Sequence, residues 1–354
     1  MAAHEAEQPS SRARMNGTRP DQMQDAHAGA HPLVFRRMTS PPPLPGFDDV
    51  LCAAARIAPH AHVTPVLRSR GIDRLAGCTL AFKAEFLQRA GAFKFRGACN
   101  AVFSLDDGEA TRGVVTHSSG NHGGALALAA RLRGIPCHVV VPEGAPRAKL
   151  DAIAAYGAIL HRCAPGIAAR EAACEEVQRA TGARLVHPYT DPRVIAGQGT
   201  AALELLGDGP FDALVVPVGG GGLASGTAIA IAGAAPGTRL VLAEPAGAAE
   251  TLASLREGRR VTAFTPDTVC DGLRGTLGEP NFEILRAHGA EVLAVGDADT
   301  VAAMRLLYQR AKALVEPSSA IALAAVLANR DRFAGMRVGV ILTGGNLDLD
   351  ALPW

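Results

Sequence analysis

Ala213-Leu214-Val215-Val216-Pro217-Val218, then Gly219-Gly220-Gly221-Gly222, then an alanine- and isoleucine-rich run from Leu223, is the stretch that decides how this chain folds. A continuous apolar run of six residues reads as a strand buried on both faces, because a strand with one wet face would alternate apolar with polar residues. Residues 223–234 have the length and composition of a helix. A strand that passes through a short loop into a helix is half of a βαβ unit, and the unit recurs on both sides. Upstream, a strand at 114–116 leads to a helix at 125–133. A strand at 137–141 precedes a helix at 146–156, stopped by Gly157, and a strand (159–162), a helix (167–181) and a strand (184–187) follow. Downstream come a strand at 239–243, helices at 299–314 and 318–329, and a strand at 337–342. This alternation predicts an α/β protein of open parallel sheets covered by helices. No repeat of solenoid period interrupts it.

Composition narrows the function. Of 354 residues 48% are hydrophobic and 19% charged, enough to bury a large core. Aromatic residues are 4%, with Trp354 the single tryptophan, and the formal net charge is +1 without a basic stripe. Nucleic acid and membrane surfaces are therefore excluded as expected partners, and a small molecule is favoured. Seven cysteines, at 52, 78, 99, 137, 163, 174 and 270, form no C-x-x-C pair, so neither a disulfide framework nor a zinc knuckle is expected. Reduced thiols fit a cytoplasmic setting. Apolar runs end well short of a membrane span. Residues 1–46 hold Pro9, Pro20, Pro32 and Pro41-Pro42-Pro43 with little apolar periodicity, and read as a flexible tail. They have no apolar signal core, and Glu5, Glu7, Asp21 and Asp25 speak against a transit peptide; Met15, Met23 and Met38 are alternative starts.

Sites in such sheets form in loops at the carboxyl ends of strands, and four loops stand out. In Ala90-Gly91-Ala92-Phe93-Lys94-Phe95-Arg96-Gly97-Ala98, a lysine lies between two phenylalanines. Desolvation lowers a lysine's pKa and makes the amine a nucleophile suited to imine formation. Only Lys83, Lys94, Lys149 and Lys312 are available, and Lys94 has the most apolar setting; a lysine snorkelling from a helix is the plainer alternative. His117-Ser118-Ser119-Gly120-Asn121-His122-Gly123-Gly124 opens a helix with small polar residues, leaving free N–H groups for a carboxylate. Simple N-capping is the competing reading. Gly219 to Gly222 lets backbone amides close around an oxyanion at a helix start. The same segment also fits G-x-G-x-x-A through Gly219, Gly221 and Ala224, with Glu244 about twenty residues on as a ribose-binding acid, so a dinucleotide-binding dehydrogenase stays open here. Leu342-Thr343-Gly344-Gly345-Asn346 ends the last strand with a hydroxyl and two glycines, able to meet a flat ring edge-on or simply to exit the strand.

Taken in this order, G-[SA]-F-K-x-R-G-A, S-S-G-N-H, the glycine tetrad and [STC]-G-G-N resemble the serine racemase and serine/threonine dehydratase family of fold-type-II pyridoxal-phosphate enzymes. The similarity runs from about residue 64 to 349, and a dehydrogenase explains the third loop alone. The resemblance implies two open parallel-sheet domains of the tryptophan-synthase-β-like kind: a large one over 47–109 and 191–354, and a small mobile one over 110–190. It implies that Lys94 joins pyridoxal 5'-phosphate covalently, with Phe93 flanking the ring. Asn121 would meet the ring hydroxyl, Gly219, Gly220, Gly221, Gly222 and Leu223 the phosphate, and Thr343 the ring nitrogen. Ser118, Ser119, Asn121 and His122 would bind the substrate, and Arg170 matches an arginine near it. Glu244, Ala248 and Glu250 would hold Mg²⁺ or Ca²⁺.

The implied reaction is β-elimination. Lys94 removes the α-proton of L-serine or L-threonine, the hydroxyl leaves as water, and the released aminoacrylate is hydrolysed to a 2-oxo acid and ammonia. Ser119 on the opposite face would permit racemisation instead. Where racemases have a serine this chain has Gly275, which opens the pocket to larger substrates such as 3-hydroxyaspartate or phenylserine. Arg89-Ala90 departs from the family's nucleotide-contact pattern, so ATP activation is not expected, nor is isoleucine feedback. A homodimer is implied.

Overall fold

The computed structural model describes residues 43–145 and 147–354; the expected tail lies, up to residue 42, outside them. In chain order the helices are α1 (Phe47–Ile57), α2 (Arg70–Ala76), α3 (Lys94–Phe103), α4 (Asp107–Arg112), α5 (Asn121–Arg133), α6 (Arg147–Ala155) and α7 (Ile167–Thr181). They continue with α8 (Pro192–Leu206), α9 (Gly222–Ala234), α10 (Glu250–Glu257), α11 (Glu279–Ala287), α12 (Asp297–Leu306), α13 (Pro317–Ala328) and α14 (Arg330–Phe333). The strands are β1 (Val66–Leu67), β2 (Thr79–Ala84), β3 (Val114–Thr116), β4 (Cys137–Pro142), β5 (Ile159–Cys163) and β6 (Arg184–Leu185). β7 (Ala213–Pro217), β8 (Arg239–Pro245), β9 (Glu291–Val295) and β10 (Arg337–Leu342) complete them.

Two sheets result. The first has the order β1-β2-β10-β7-β8-β9 and the second β5-β4-β3-β6. Every pairing is parallel except β1 with β2, the edge pair that aligns Val66 with Lys83. The chain is thus an α/β protein dominated by parallel sheets. In such sheets loops after neighbouring strands emerge on the same rim. Because β10 lies between β2 and β7, the loop at Thr343, the segment leading to Lys94 and the glycine tetrad converge. Because β3 lies beside β6, the loop at Ser118 and the segment at His187 converge in the second sheet.

The strand β7 and helix α9 are where the apolar run and the glycines put them. α9 and α13 carry almost no charge and are buried nearly all round, as helices covered on several sides must be. The helix expected over 299–314 stops earlier. α12 ends at Leu306, a π-helical turn spans Leu307–Ala311, and Lys312 takes a left-handed conformation (φ 56°). The strand expected over 184–187 is only Arg184–Leu185. All seven cysteines are free, and six are buried. No described helix is long and apolar enough to cross a membrane.

Candidate active site

Lys94 is the first residue of α3, and the chain reaches it through a bend. Ala90 and Gly91 both have positive φ, and a side chain on Gly91 would collide with Asn346. The amine donates to the carbonyl of Pro188 at 3.1 Å and stands 5.0 Å from the centre of the Phe93 ring. Burial lowers its pKa to about 8, against the opposing pull of the Glu316 carboxylate. Two residues on, Arg96 anchors this helix start. Fully buried, it bonds Glu85 through Nε and Nη2 (2.7 and 2.8 Å) and Glu204 through Nη1 and Nη2 (2.7 and 2.8 Å). Lys83 closes the network on Glu204 and the carbonyl of Thr64, both at 2.6 Å. Removing one member of such a pair would strand a buried charge at a cost of about 3–5 kcal/mol.

The glycine tetrad is a packed shelf. A methyl on Gly219 would meet the Leu273 backbone at 2.9 Å, on Gly220 the Tyr189 ring at 2.5 Å, and on Gly221 Leu277 at 2.5 Å. Gly221 also has φ +90°, a conformation that favours glycine. Asn281 braces the shelf, donating to the carbonyls of Gly220 (2.5 Å) and Tyr189 (2.9 Å), while its Oδ1 accepts from Ser225. No side chain caps α9, so its first N–H groups remain open to an anion.

The loop before α5 also lacks a side-chain cap. Ser118 and Ser119 are half-buried beside it. Asn121 reaches across to the first sheet's side of the site. Its Nδ2 donates to both carboxylate oxygens of Glu316 (3.0 and 3.2 Å), and its Oδ1 accepts from Asn346 (3.0 Å). Glu316 is buried, and desolvation pushes its carboxyl up to about 7 even with the Asn121 bond pulling the other way. The His122 ring is turned inward to the carbonyl of Val186 at 3.1 Å, leaving its backbone N–H as the part available to a ligand. His187 is pushed down to about 3 by burial and by His117 and Lys94 nearby. Its Nδ1 accepts from the N–H of Tyr189 and Thr190, which fixes the ring proton on Nε2. Arg170 lies close enough to His117 to depress its pKa, second to burial, and makes no salt bridge among the described residues. Thr343 is buried where β10 ends, its carbonyl accepting from the N–H of Phe93 (2.9 Å).

The family model for pyridoxal-phosphate dependent enzymes matches residues 57–344. The chain belongs to this family, with fold type II. It is 48% identical over 313 residues to beta-hydroxyaspartate dehydratase of Paracoccus denitrificans (strain Pd 1222), covering 88% of this chain and 99% of that one. Among solved structures, maize serine racemase matches with a TM-score of 0.85 at 43% identity, covering 87% of this chain and 95% of that one. A threonine deaminase from T.th. matches with a TM-score of 0.82 at 41% identity, over 86% and 99% of the two chains. The enzyme is accordingly pyridoxal-phosphate dependent, and its substrate is a small molecule of the amino-acid class.

The site of this pyridoxal-phosphate enzyme also contains residues that the motifs do not reveal. Glu316 and Tyr189 belong to no glycine-rich or Ser-Ser-Gly-Asn-His pattern. The one local signal for Glu316 is its place before Pro317 at the start of an apolar helix. Farther off, Glu244 accepts from the N–H groups of Thr251 (2.7 Å) and Leu252 (2.9 Å), and Glu250 from that of Leu277 (2.8 Å). Burial pushes both carboxyls up to about 7, and Glu244 adds repulsion on Glu250. No group of three or more His, Cys, Asp or Glu among the described residues is placed to hold a metal, so a cation here would need a carbonyl such as that of Ala248.

Proposed function

We propose that this enzyme is an ammonia-lyase that eliminates water from a β-hydroxy amino acid, releasing ammonia and a 2-oxo acid. One observation carries the reading. An amine held near pKa 8 lies between a packed, cap-free glycine shelf and a second cap-free helix start. Gly219 to Gly222 and Leu223 would hold the cofactor phosphate, Lys94 its carbonyl carbon, Phe93 and Thr343 its ring, and Asn121 its ring hydroxyl. Bound there, pyridoxal phosphate supplies the electron sink that makes an α-proton removable. The open N–H groups of Asn121, His122 and Gly123, with Ser118, bind the substrate's α-carboxylate. Lys94, whose burial-lowered pKa of about 8 makes the free amine far more accessible near neutral pH than in an exposed lysine, takes the α-proton.

Among β-hydroxy amino acids, 3-hydroxyaspartate is favoured over serine and threonine. Gly275 has no conformational need to be glycine, and the atoms nearest a methyl there are 3.8 and 3.9 Å away. Its missing side chain leaves room beside Tyr189, and Arg170 offers charge for a second carboxylate, with His117, kept neutral by burial and by that arginine, as a hydrogen-bonding neighbour. Racemisation is the second reading, supported by Ser119, whose hydroxyl would move a proton on the face opposite Lys94. Mg²⁺ or Ca²⁺ at Glu244, Ala248 and Glu250 fits two buried acids with no cation among their described partners. A large and a small mobile domain, divided near residues 109 and 190, and a homodimer in the cytoplasm complete the proposal. The exposed neighbours Val63 and Leu87 are candidates for cover by a second copy.

The test is to supply L-serine, D-serine, L-threonine and 3-hydroxyaspartate while following oxo-acid release and chirality. Release of oxo acid fastest from 3-hydroxyaspartate is expected. Inversion of serine with little oxo acid would transfer the case to a racemase.

A further inference from the structure

Helix α8 does more than cover a sheet. It lies between α3, whose first residue is Lys94, and α9, whose start is the glycine shelf. Both contacts are made through glycine. A methyl on Gly197 would meet the Arg96 carbonyl at 2.7 Å and the Gly97 Cα at 2.8 Å, and one on Gly199 would meet the Gly226 carbonyl at 2.7 Å. Backbones so close fix the separation of the lysine and the shelf, with no side chain in between to yield.

Gln198 stands between these two glycines. It is 0% exposed, and neither its Oε1 nor its Nε2 has a hydrogen-bond partner among the described residues. It is the one described side chain with two such atoms. Its Oε1 lies 2.6 Å from where a methyl on Gly222 would stand, and its Cγ 3.0 Å from the corresponding point on Gly97. The amide therefore sits under the first residue of α9, on the line from the lysine helix to the shelf. A buried amide left without partners costs stability, and such groups persist where a ligand or ordered water completes them.

We propose that Gln198 is a further cofactor-positioning residue, whose amide is satisfied when a phosphate ester, with any water it carries, occupies the shelf at Gly219 to Gly222. The residue then links the two anchoring points of the cofactor: the same helix turn that separates α3 from α9 senses whether the shelf is filled. This inference rests on the tetrad being the phosphate site. Two consequences separate it from a packing role. In the apoprotein the amide has no bond to lose, so an apolar replacement of like size is neutral or stabilising. In the holoprotein the same replacement weakens the phosphorylated cofactor and leaves the unphosphorylated one alone.

The experiment uses apoenzyme of the full chain, wild type and Gln198→Met, with Gln198→Leu as a second replacement. Thermal unfolding of the apo forms is recorded, together with Kd for pyridoxal phosphate and for pyridoxal by absorbance titration, and the ³¹P shift of the bound phosphate. Expected are an apo Tm equal to or above wild type, pyridoxal phosphate binding weaker by about ten- to a hundredfold, unchanged pyridoxal binding and a displaced ³¹P signal. An apo Tm lowered in both variants, or failure of both to fold, overturns the inference, because it shows the amide already bonded. Parallel loss of both ligands overturns it as well. If wild type itself binds pyridoxal as tightly as pyridoxal phosphate, the assignment of the shelf fails instead. If wild type prefers the phosphate and both variants keep that preference, the shelf stands and the role of Gln198 falls.

Discussion

Two strand-to-helix loops face each other in this enzyme, and they are built in opposite ways. At the glycine tetrad, a methyl on any of the four residues would run into neighbours at 2.5–2.9 Å. At the Ser-Ser-Gly-Asn-His loop, nothing lies within 4 Å of a methyl on Gly120 or Gly124. Both helix starts lack a side-chain cap, so both offer N–H groups to an anion. The difference teaches which anion each serves. A shelf clamped by Tyr189, Leu273, Leu277 and Asn281 suits a group that stays through every turnover. A loop that packs closely only at Gly123, on the Ser118 carbonyl, and has open space at Gly120 and Gly124 suits one that must enter and leave.

The sharpest way to break this contrast is the same substitution in both loops. Gly221→Ala meets Leu277 and a left-handed backbone together, and should cost roughly 2–5 kcal/mol in unfolding free energy and abolish cofactor retention. Gly120→Ala should stay within about 0.5 kcal/mol of wild type. Denaturant titration of both proteins checks the pair, and equal costs would erase the distinction. Next in size, Ser119→Ala should lower any inversion of serine by about a hundredfold while elimination from the L-substrate changes only a few-fold. Chiral chromatography of the reaction mixture measures both.

A pH experiment tests the contact between the two sides. Burial raises the Glu316 carboxyl from 4.5 to about 7. A carboxyl raised in the folded state contributes its stability fully below the free carboxyl's range and loses it as pH rises through about 7. Glu316→Gln, which carries no charge, should therefore be more stable than wild type at pH 8 by about 1–2 kcal/mol, with the gain shrinking toward pH 4. Urea unfolding of the apoproteins at the two ends of that range reads the sign. The smallest effect is expected at Lys149, which bridges α6 to Asp271 at 2.6 Å, next to the Leu273 backbone that packs on Gly219. Both partners are about half exposed. Lys149→Ala should raise KM about two- to threefold, leave kcat unchanged, and lose this difference at high salt.

Much of the fold was legible because local pattern and tertiary role agree. The run from Ala213 is apolar throughout since β7 is covered on both faces, and helix Ile167–Thr181 keeps its bounds because Gly166 and Gly182 close it. α8 was not legible. Gly197, Gln198, Gly199 and Thr200 interrupt its apolar periodicity, and they are there because two neighbouring helices need close approach. The candidate site divides in the same way. Lys94, Asn121 and the tetrad lie where loops run into helices, in segments whose composition signals chemistry. Glu316, just ahead of α13, and Gln198, inside α8, acquire their roles from what faces them; the Asn121–Glu316 bond spans 195 residues of sequence. The early end of α12 was not legible either: the apolar pattern runs on, but Leu307–Ala311 widen into a π-helical turn that Lys312 closes in a left-handed conformation.

Everything in this account depends on the cofactor being joined at residue 94 and at no other amine. The chain has four lysines, so borohydride reduction of the pyridoxal-phosphate-loaded enzyme followed by peptide mass mapping decides the matter in one measurement. The mass increment of a pyridoxyl phosphate group on the peptide containing Lys94 is predicted, with Lys83, Lys149 and Lys312 unmodified. A label on one of those three, or none at all, would contradict it.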